Sequence, residues 1–233
     1  MAGSEITIAG ADGEFMGYLA KPASGAGPGV VVIQEIFGVN TWMRNIADGL
    51  AAAGYVALCP DLFWRIEPGV QINSEDEAAF QKAFGLYGKF DVEAGVADLK
   101  TTLTHLRGLD GCTGKAGTLG FCLGGFLAYM MAAHSDAHAS VGYYGVGIES
   151  KLGDAAGISG PLMLHVAEED QFVPKEAQAQ VADGLAGNAH VTIHNYPGMD
   201  HAFARSGGHS YVKHAAELAG GRTLAFFDAN LGG

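Results

Sequence analysis

Cationic side chains are scarce in this sequence. Only 13 Lys and Arg stand against 25 Asp and Glu, giving a formal net charge of −12 at pH 7. No Lys/Arg cluster occurs anywhere along the chain. A face that binds a polyanion needs such a cluster, so nucleic acid and anionic membrane surfaces are excluded as partners. Cysteine is also rare: Cys59, Cys112 and Cys122 are an odd, small set that argues against a disulfide framework. No apolar run approaches the roughly 20 residues that a membrane helix needs. The opening stretch MAGSEITIAGADGEF lacks a basic start followed by an apolar segment, so no signal peptide is expected. These absences lead to the expectation of a soluble, reduced, cytoplasmic monomer.

Apolar residues and glycine are plentiful. The hydrophobic fraction is 48% against 16% charged, ample for a buried core. The 36 glycines and 7 prolines are scattered between apolar runs, as in a compact fold with many short loops. Strands are expected at Glu5–Ala9 and Glu14–Ala20 around an Asp-Gly turn, and at Gly29–Gln34 and Tyr55–Cys59. Further strands are expected at Lys115–Phe121, Ser140–Tyr144, Pro161–Ala167 and Val191–Tyr196. Helices are expected at Thr41–Ala53, closed by Gly54, and from about Ser74 to Arg107 with a break near Gly88. Others are expected at Leu123–Ala133, Lys175–Leu185 and Ser210–Asn230, the last interrupted near Gly220-Gly221. Alternation of this kind predicts an α/β fold with a mostly parallel central sheet flanked by helices, in one domain spanning 1–233. Sites in such sheets lie at the carboxyl ends of strands.

The sharpest motif is Gly120-Phe121-Cys122-Leu123-Gly124-Gly125, between a strand and a helix. It is the G-x-S-x-G nucleophile elbow of α/β-hydrolases with cysteine in the serine position. The nucleophile sits on a strained turn, and close strand–helix packing demands glycine at Gly120 and Gly124. The helix N-terminus aimed at the site favours a thiolate and a developing oxyanion. The plainer reading is a small buried cysteine on a glycine-rich turn.

Chain order in this fold is nucleophile, acid, histidine. The strand Pro161–Ala167 is followed by Glu168-Glu169-Asp170, and the strand Val191–Tyr196 by Pro197-Gly198-Met199-Asp200-His201. His201 is therefore expected as the base and Asp170 as its orienting acid. His165, inside an apolar strand, reads as a satisfied core residue. His134 and His138 are four apart but lack the third ligand that a metal site needs, so no metal and no cofactor are expected. Cys59 reads as core and Cys112 as a loop residue without a role. Glu35 follows the GVVVIQ run, where a carboxylate must be paired or pay desolvation; the alternative is a surface acid starting a loop. Its segment, Glu35-Ile36-Phe37-Gly38, is placed to supply one oxyanion-hole N–H, from Ile36, the other coming from Leu123.

With these residues in place, the chain resembles the dienelactone hydrolase (carboxymethylenebutenolidase) family over nearly its whole length. The likeness rests on QEIFGVN at Gln34–Asn40, CPDL at Cys59–Leu62, FDVEAGVADL at Phe90–Leu99 and GFCLGG at Gly120–Gly125. It continues through VGYYGVG at Val141–Gly147, DQFVP at Asp170–Pro174 and HAFAR at His201–Arg205. The resemblance implies a Cys122–His201–Asp170 triad whose resting thiol is neutral and turned inward, with Glu35 accepting its proton when substrate binds. It also implies that Arg205 pairs with that glutamate and with the substrate carboxylate. Phe37, Tyr144 and Phe80 are further expected substrate contacts. Two positions depart from the family pattern. Phe80 stands where a second arginine would hold an anionic dienelactone, leaving Lys82 nearby as a weaker point charge. Ala202 replaces the serine usual after the histidine.

The resemblance implies hydrolysis of a small lactone or ester, most directly a dienelactone, through a Cys122 acyl-enzyme. An esterase or thioesterase acting on a less anionic substrate is the alternative. A non-catalytic binding protein or thiol sensor on the same scaffold is the reading from another class.

Overall fold

The computed structural model describes residues 3–73 and 76–232. Two compact units divide it, 1–117 and 118–233. In the first unit lie β1 (Ser4–Ala9), β2 (Glu14–Ala20), β3 (Gly27–Ile33) and β4 (Val56–Pro60), with α1 (Thr41–Ala52), α2 (Glu77–Tyr87) and α3 (Val92–Arg107). Strand β5 (Cys112–Phe121) carries the chain into the second unit. There follow α4 (Leu123–His134), β6 (Ser140–Tyr143), a 3-10 segment (Ile148–Gly157) and β7 (Leu162–Ala167). Then come α5 (Lys175–Leu185), β8 (Val191–Tyr196) and α6 (Lys213–Leu231).

In the first unit the strands lie in the order β1-β2-β4-β3. The β1–β2 hairpin and the β2–β4 pair are antiparallel, and β3 pairs with β4 in parallel. In the second unit β5-β6-β7-β8 are neighbours in that order and all parallel. The α/β architecture with a mostly parallel sheet is thus the one read from the sequence. Val30–Ile33 of β3 are wholly buried, as a β-branched strand covered on both faces requires. Helices α1 and α3 pack on β3 and β4, and α4 on β6 and β7.

Side-chain caps set the helix starts. Asn40, Asp76 and Asp91 accept from the N–H groups of Met43, Ala79 and Ala94, at the heads of α1, α2 and α3. Helix α1 closes before Gly54, which takes φ 102°. The expected start of α2 at Ser74 lies outside the described residues. In the CPDL block the Asp61 carboxylate accepts from Phe63 and Gly69 N–H, tying down the loop after β4. That loop braces the segment after β3. Val39 N–H donates to Val70 O, Ile72 N–H to Phe37 O, and Leu62 N–H to Gln34 Oε1.

Two expectations need correction. Helix α6 runs unbroken through Gly220-Gly221. Its buried stripe Ala215, Ala219, Thr223, Phe227 and Leu231 recurs every four residues. Burying Phe227 and Leu231 contributes roughly 1.5–3 kcal/mol each, more than the ~1 kcal/mol that each glycine costs a helix. The stripe therefore outweighs the local propensity. Cys112 begins β5 and is not in a loop; Thr113 to Lys115 after it are exposed, so the strand start lacks the apolar pattern that would reveal it.

The glycines differ in kind, and this is testable. Gly221 has helical backbone and open space where a Cβ would go, so Gly221→Ala should stabilise by about 0.4–1 kcal/mol and raise Tm by a few degrees. Gly120 has no such room, since a Cβ there would lie 1.9 Å from Gly124 O; Gly120→Ala should abolish soluble folded protein. Thermal unfolding of the two variants checks both outcomes.

Candidate active site

Strand β5 ends at Phe121 and α4 begins at Leu123, leaving Cys122 alone at the turn with φ 56° and ψ −115°. A non-glycine residue held there costs about 1–3 kcal/mol, so its surroundings must impose the geometry. They do so through main chain. Cys122 N–H donates to Tyr143 O at 3.0 Å, and Phe126 N–H donates to Cys122 O at 3.1 Å. A Cβ at Gly125 would stand 2.3 Å from Tyr143 O, and one at Gly142 2.6 Å from Gly125 O. Backbone lies directly on backbone, which only glycine permits. Every residue of α4 from Leu123 to Ala132 is buried, so this helix cannot shift to relieve the turn. Leu123 is its first residue, where an N–H has no preceding helical turn to bond and can face an anion.

The other two candidates come from the loops after β7 and β8. His201 Nδ1 lies 2.8 Å from Asp170 Oδ2, with both side chains buried. The other Asp170 oxygen accepts from Phe172 N–H at 2.8 Å, which fixes the carboxylate plane. The Cys122 side chain hydrogen-bonds His201. The three expected triad members are therefore together in the second unit.

Burial lowers the His201 pKa, but the Cys122 charge, the Asp170 hydrogen bond and the Cys122 hydrogen bond together outweigh it. The result is pushed up to about 10. His201 thus holds a proton at neutral pH between its two hydrogen-bond partners, Cys122 and Asp170.

The remaining expected residues divide by unit. In the first unit Glu35 is 2% exposed, so it is not a surface acid. Ile36 and Phe37 are buried beside it in sequence. Phe37 meets the half-buried Phe80 edge to face at 5.4 Å, and Phe80 stacks on Phe84. Lys82 is paired with Glu67 at 2.7 Å, both half exposed, so its charge is already engaged. In the second unit Tyr144 is 2% exposed, and its ring lies edge-on against His201 at 5.0 Å between centroids. The structure makes it a wall for the imidazole. Arg205 is half-buried in the turn after His201. His165 is a satisfied core histidine, bonded to Tyr196 and Thr223. Cys59 is buried, and burial pushes its thiol up. His134 lies near Asp154. Among the described residues no group of three or more His, Cys, Asp or Glu is arranged to hold a metal ion, and no helix is long and apolar enough to cross a membrane.

Two contributors, Asp200 and Phe172, were not foreseen. Asp200 accepts from both His201 N–H and Gln171 N–H, clipping the two loops that carry the acid and the base. A carboxylate next to His201 in a Pro-Gly turn is the signal that could have marked it. Phe172 covers the other edge of His201 at 4.9 Å. Tyr144 and Ala202 take φ 37° and 61°, so with Cys122 the three non-glycine residues at positive φ among the described residues all border this site. No residue type betrays such a strain in sequence.

Comparison with known proteins agrees with this geometry. The dienelactone hydrolase family profile matches residues 15–231. A provisionally named carboxymethylenebutenolidase of Azospirillum brasilense is 50% identical, covering 98% of this chain and 100% of that protein. The carboxymethylenebutenolidase of Pseudomonas putida is 39% identical, covering 95% and 94%. The crystal structure of a provisionally named dienelactone hydrolase from Klebsiella pneumoniae superposes with a TM-score of 0.84 at 29% identity, over 97% of each chain. Fold, elbow and family profile converge, and the chain belongs to the dienelactone hydrolase family.

Proposed function

We propose that this chain, as one catalytic domain, hydrolyses a small lactone or ester through an acyl-enzyme on Cys122. The substrate class follows the name of its relatives: a dienelactone, 4-carboxymethylenebut-2-en-4-olide, opened to maleylacetate. The observation that carries the reading is the buried His201, bonded at once to Cys122 and to Asp170.

The chemistry follows from that arrangement. Cys122 Sγ attacks the carbonyl carbon, and the oxyanion is met by the N–H groups of Ile36 and Leu123. Collapse breaks the ring C–O bond, and the leaving oxygen takes the proton from His201. Acylation turns the sulfur anion into a neutral thioester. The strongest influence holding the His201 pKa up is thereby removed, while burial, which lowers it, remains. The imidazole then accepts a proton from water, whose oxygen attacks the thioester; the acid leaves, and the departing sulfur recovers its proton from Glu35. In this scheme Glu35 receives the thiol proton as substrate binds, and Arg205 holds the substrate carboxylate through a forked pair. Asp170 keeps the imidazole in one tautomer throughout.

A second reading is favoured by one observation. Where a second cationic clamp would serve a dienelactone, Phe80 packs between Phe37 and Phe84, and Lys82 is spent on Glu67. A less anionic ester or thioester would suit that aromatic face better.

Hydrolysis of the dienelactone and of a neutral aryl ester should be compared, with Cys122→Ala as the blank. Cys122→Ala should fold normally and turn over neither; full activity in that variant would sink the proposal. Preference for the dienelactone supports the first reading, and Cys122-dependent preference for the neutral ester supports the second. Phe80→Arg should lower KM for the dienelactone about tenfold by adding a charge-assisted pair, and an unchanged KM would count against a clamp at this position.

The pH dependence has a definite sign. The folded-state pKa of His201 lies above its ordinary 6.5, so its pairing contributes stability that is full below pH 6.5 and lost as pH rises through about 10. Hydrolysis loses its general acid over the same range, giving an alkaline limb near pH 10. Asp170→Asn removes one of the groups that raise His201, so the limb should move to lower pH while kcat falls at least about 100-fold. A limb unmoved in that variant would separate it from His201.

A further inference from the structure

A line of buried polar side chains crosses the second unit without touching the triad. Arg222 Nη1 lies 3.1 Å from Tyr196 Oη. Tyr196 Oη lies 2.7 Å from His165 Nδ1, and His165 Nε2 lies 3.1 Å from Thr223 Oγ1. Thr223 Oγ1 lies 2.6 Å from Tyr143 Oη. Tyr143, His165, Tyr196 and Thr223 are each no more than 4% exposed.

Donor arithmetic gives this line a direction. A guanidinium only donates, so Arg222 donates to Tyr196 Oη. The single Tyr196 hydroxyl proton then goes to His165 Nδ1. With that proton on the Nδ1 side, the imidazole proton sits on Nε2 and donates to Thr223. Burial, then His194 and Arg222, hold His165 neutral, with a pKa lowered to about 3. A charged imidazole would also turn a second N–H toward Tyr196 and break the sequence of donors. One cation at the half-buried end thus fixes the tautomer in the middle and the hydroxyl at the far end.

Two members of the line, Tyr143 and His165, hold the Cys122–His201 pair through main chain. Tyr143 O accepts from Cys122 N–H at 3.0 Å. His165 O accepts from Tyr144 N–H at 2.8 Å, and the Tyr144 ring supports His201. Tyr144 is held at φ 37°, so the peptide between Tyr143 and Tyr144 is fixed by its surroundings rather than by its own preference. Replacing the line with apolar groups of the same shape could keep the fold, because paired polar groups add little net stability over such a core. What an apolar core cannot supply is orientation.

We propose that Arg222, Tyr196, His165, Thr223 and Tyr143 form a positioning network that sets the Tyr143–Tyr144 peptide and, through it, the register of Cys122 against His201. Its kinetic consequence rests on the hydrolase reading; its spectroscopic and thiol-reactivity consequences do not.

Thr223→Val removes both hydrogen bonds of that residue and keeps its shape, whereas Thr223→Ser keeps the hydroxyl. Thr223→Val should lower kcat about tenfold with KM within twofold, since small misplacements far from the chemistry act on the reacting geometry. Carbamidomethylation of Cys122 by iodoacetamide, followed by mass spectrometry, should slow at least about threefold for the same reason. Thr223→Ser should restore both. Nitrogen-15 spectra should find His165, assigned by its loss in His165→Gln, as the Nε2–H tautomer, and Tyr196→Phe should disturb it. Wild-type kcat and alkylation rate in Thr223→Val, or an Nδ1–H tautomer in the unaltered protein, overturns the proposal. Should the unaltered protein hydrolyse nothing, the hydrolase reading fails alone, and the alkylation and the tautomer still decide. Should Thr223→Val not fold, Tyr196→Phe takes its place with the same readouts.

Discussion

Backbone pressed on backbone at the end of β5 is the constraint from which the site follows. Gly120 against Gly124, and Gly125 against Tyr143 and Gly142, leave no space for a single Cβ. That closeness puts α4 where its N-terminus begins at the nucleophile, and it forces Cys122 to φ 56°. The strain stays small beside the burial it accompanies. Ten consecutive residues of α4 are buried, and each large apolar side chain among them contributes about 1.5–3 kcal/mol, against about 1–3 kcal/mol for the one strained residue. The fold can therefore hold a thiol in a conformation it would not choose.

The electrostatics depend on the same rigidity. A buried imidazole prefers to be neutral, and burial is the largest influence on His201. It is overcome only because Cys122 and Asp170 each sit within hydrogen-bond reach. Neither partner could hold that distance from a loose loop. Asp170 is fixed by Phe172 N–H, and the His201 main chain is clipped to the Asp170 loop by Asp200. Phe172 and Tyr144 both pack against the imidazole, at 4.9 and 5.0 Å between ring centroids. The His201 charge is held here by short-range geometry, through neighbours within hydrogen-bond reach.

What the sequence discloses about such a site depends on how local each feature is. The elbow was legible because its glycines, its nucleophile and its flanking strand and helix lie within a dozen residues. Asp170 and His201 were legible because fold order and strand ends confine each to a few positions. The strands were legible from their β-branched runs. By contrast, α6 hid its continuity because its glycines speak locally, while its buried stripe takes effect only against the second unit's sheet. Asp200 and Phe172 were missed because each is an ordinary loop residue until the two loops are brought side by side. The burial of Tyr144 against His201 goes with a positive φ that no tyrosine advertises.

The same distinction separates reaction from recognition. The turn at Cys122 is fixed by main-chain geometry that cannot change without unfolding the elbow. Residues that meet the substrate carry no such burden. Phe80 is half-buried on an outer helix, held by two aromatic neighbours, and Lys82 beside it is tied to Glu67 at the surface. An exchange at position 80 thus falls on α2 and its aromatic neighbours, whereas an exchange at the elbow falls on packed backbone.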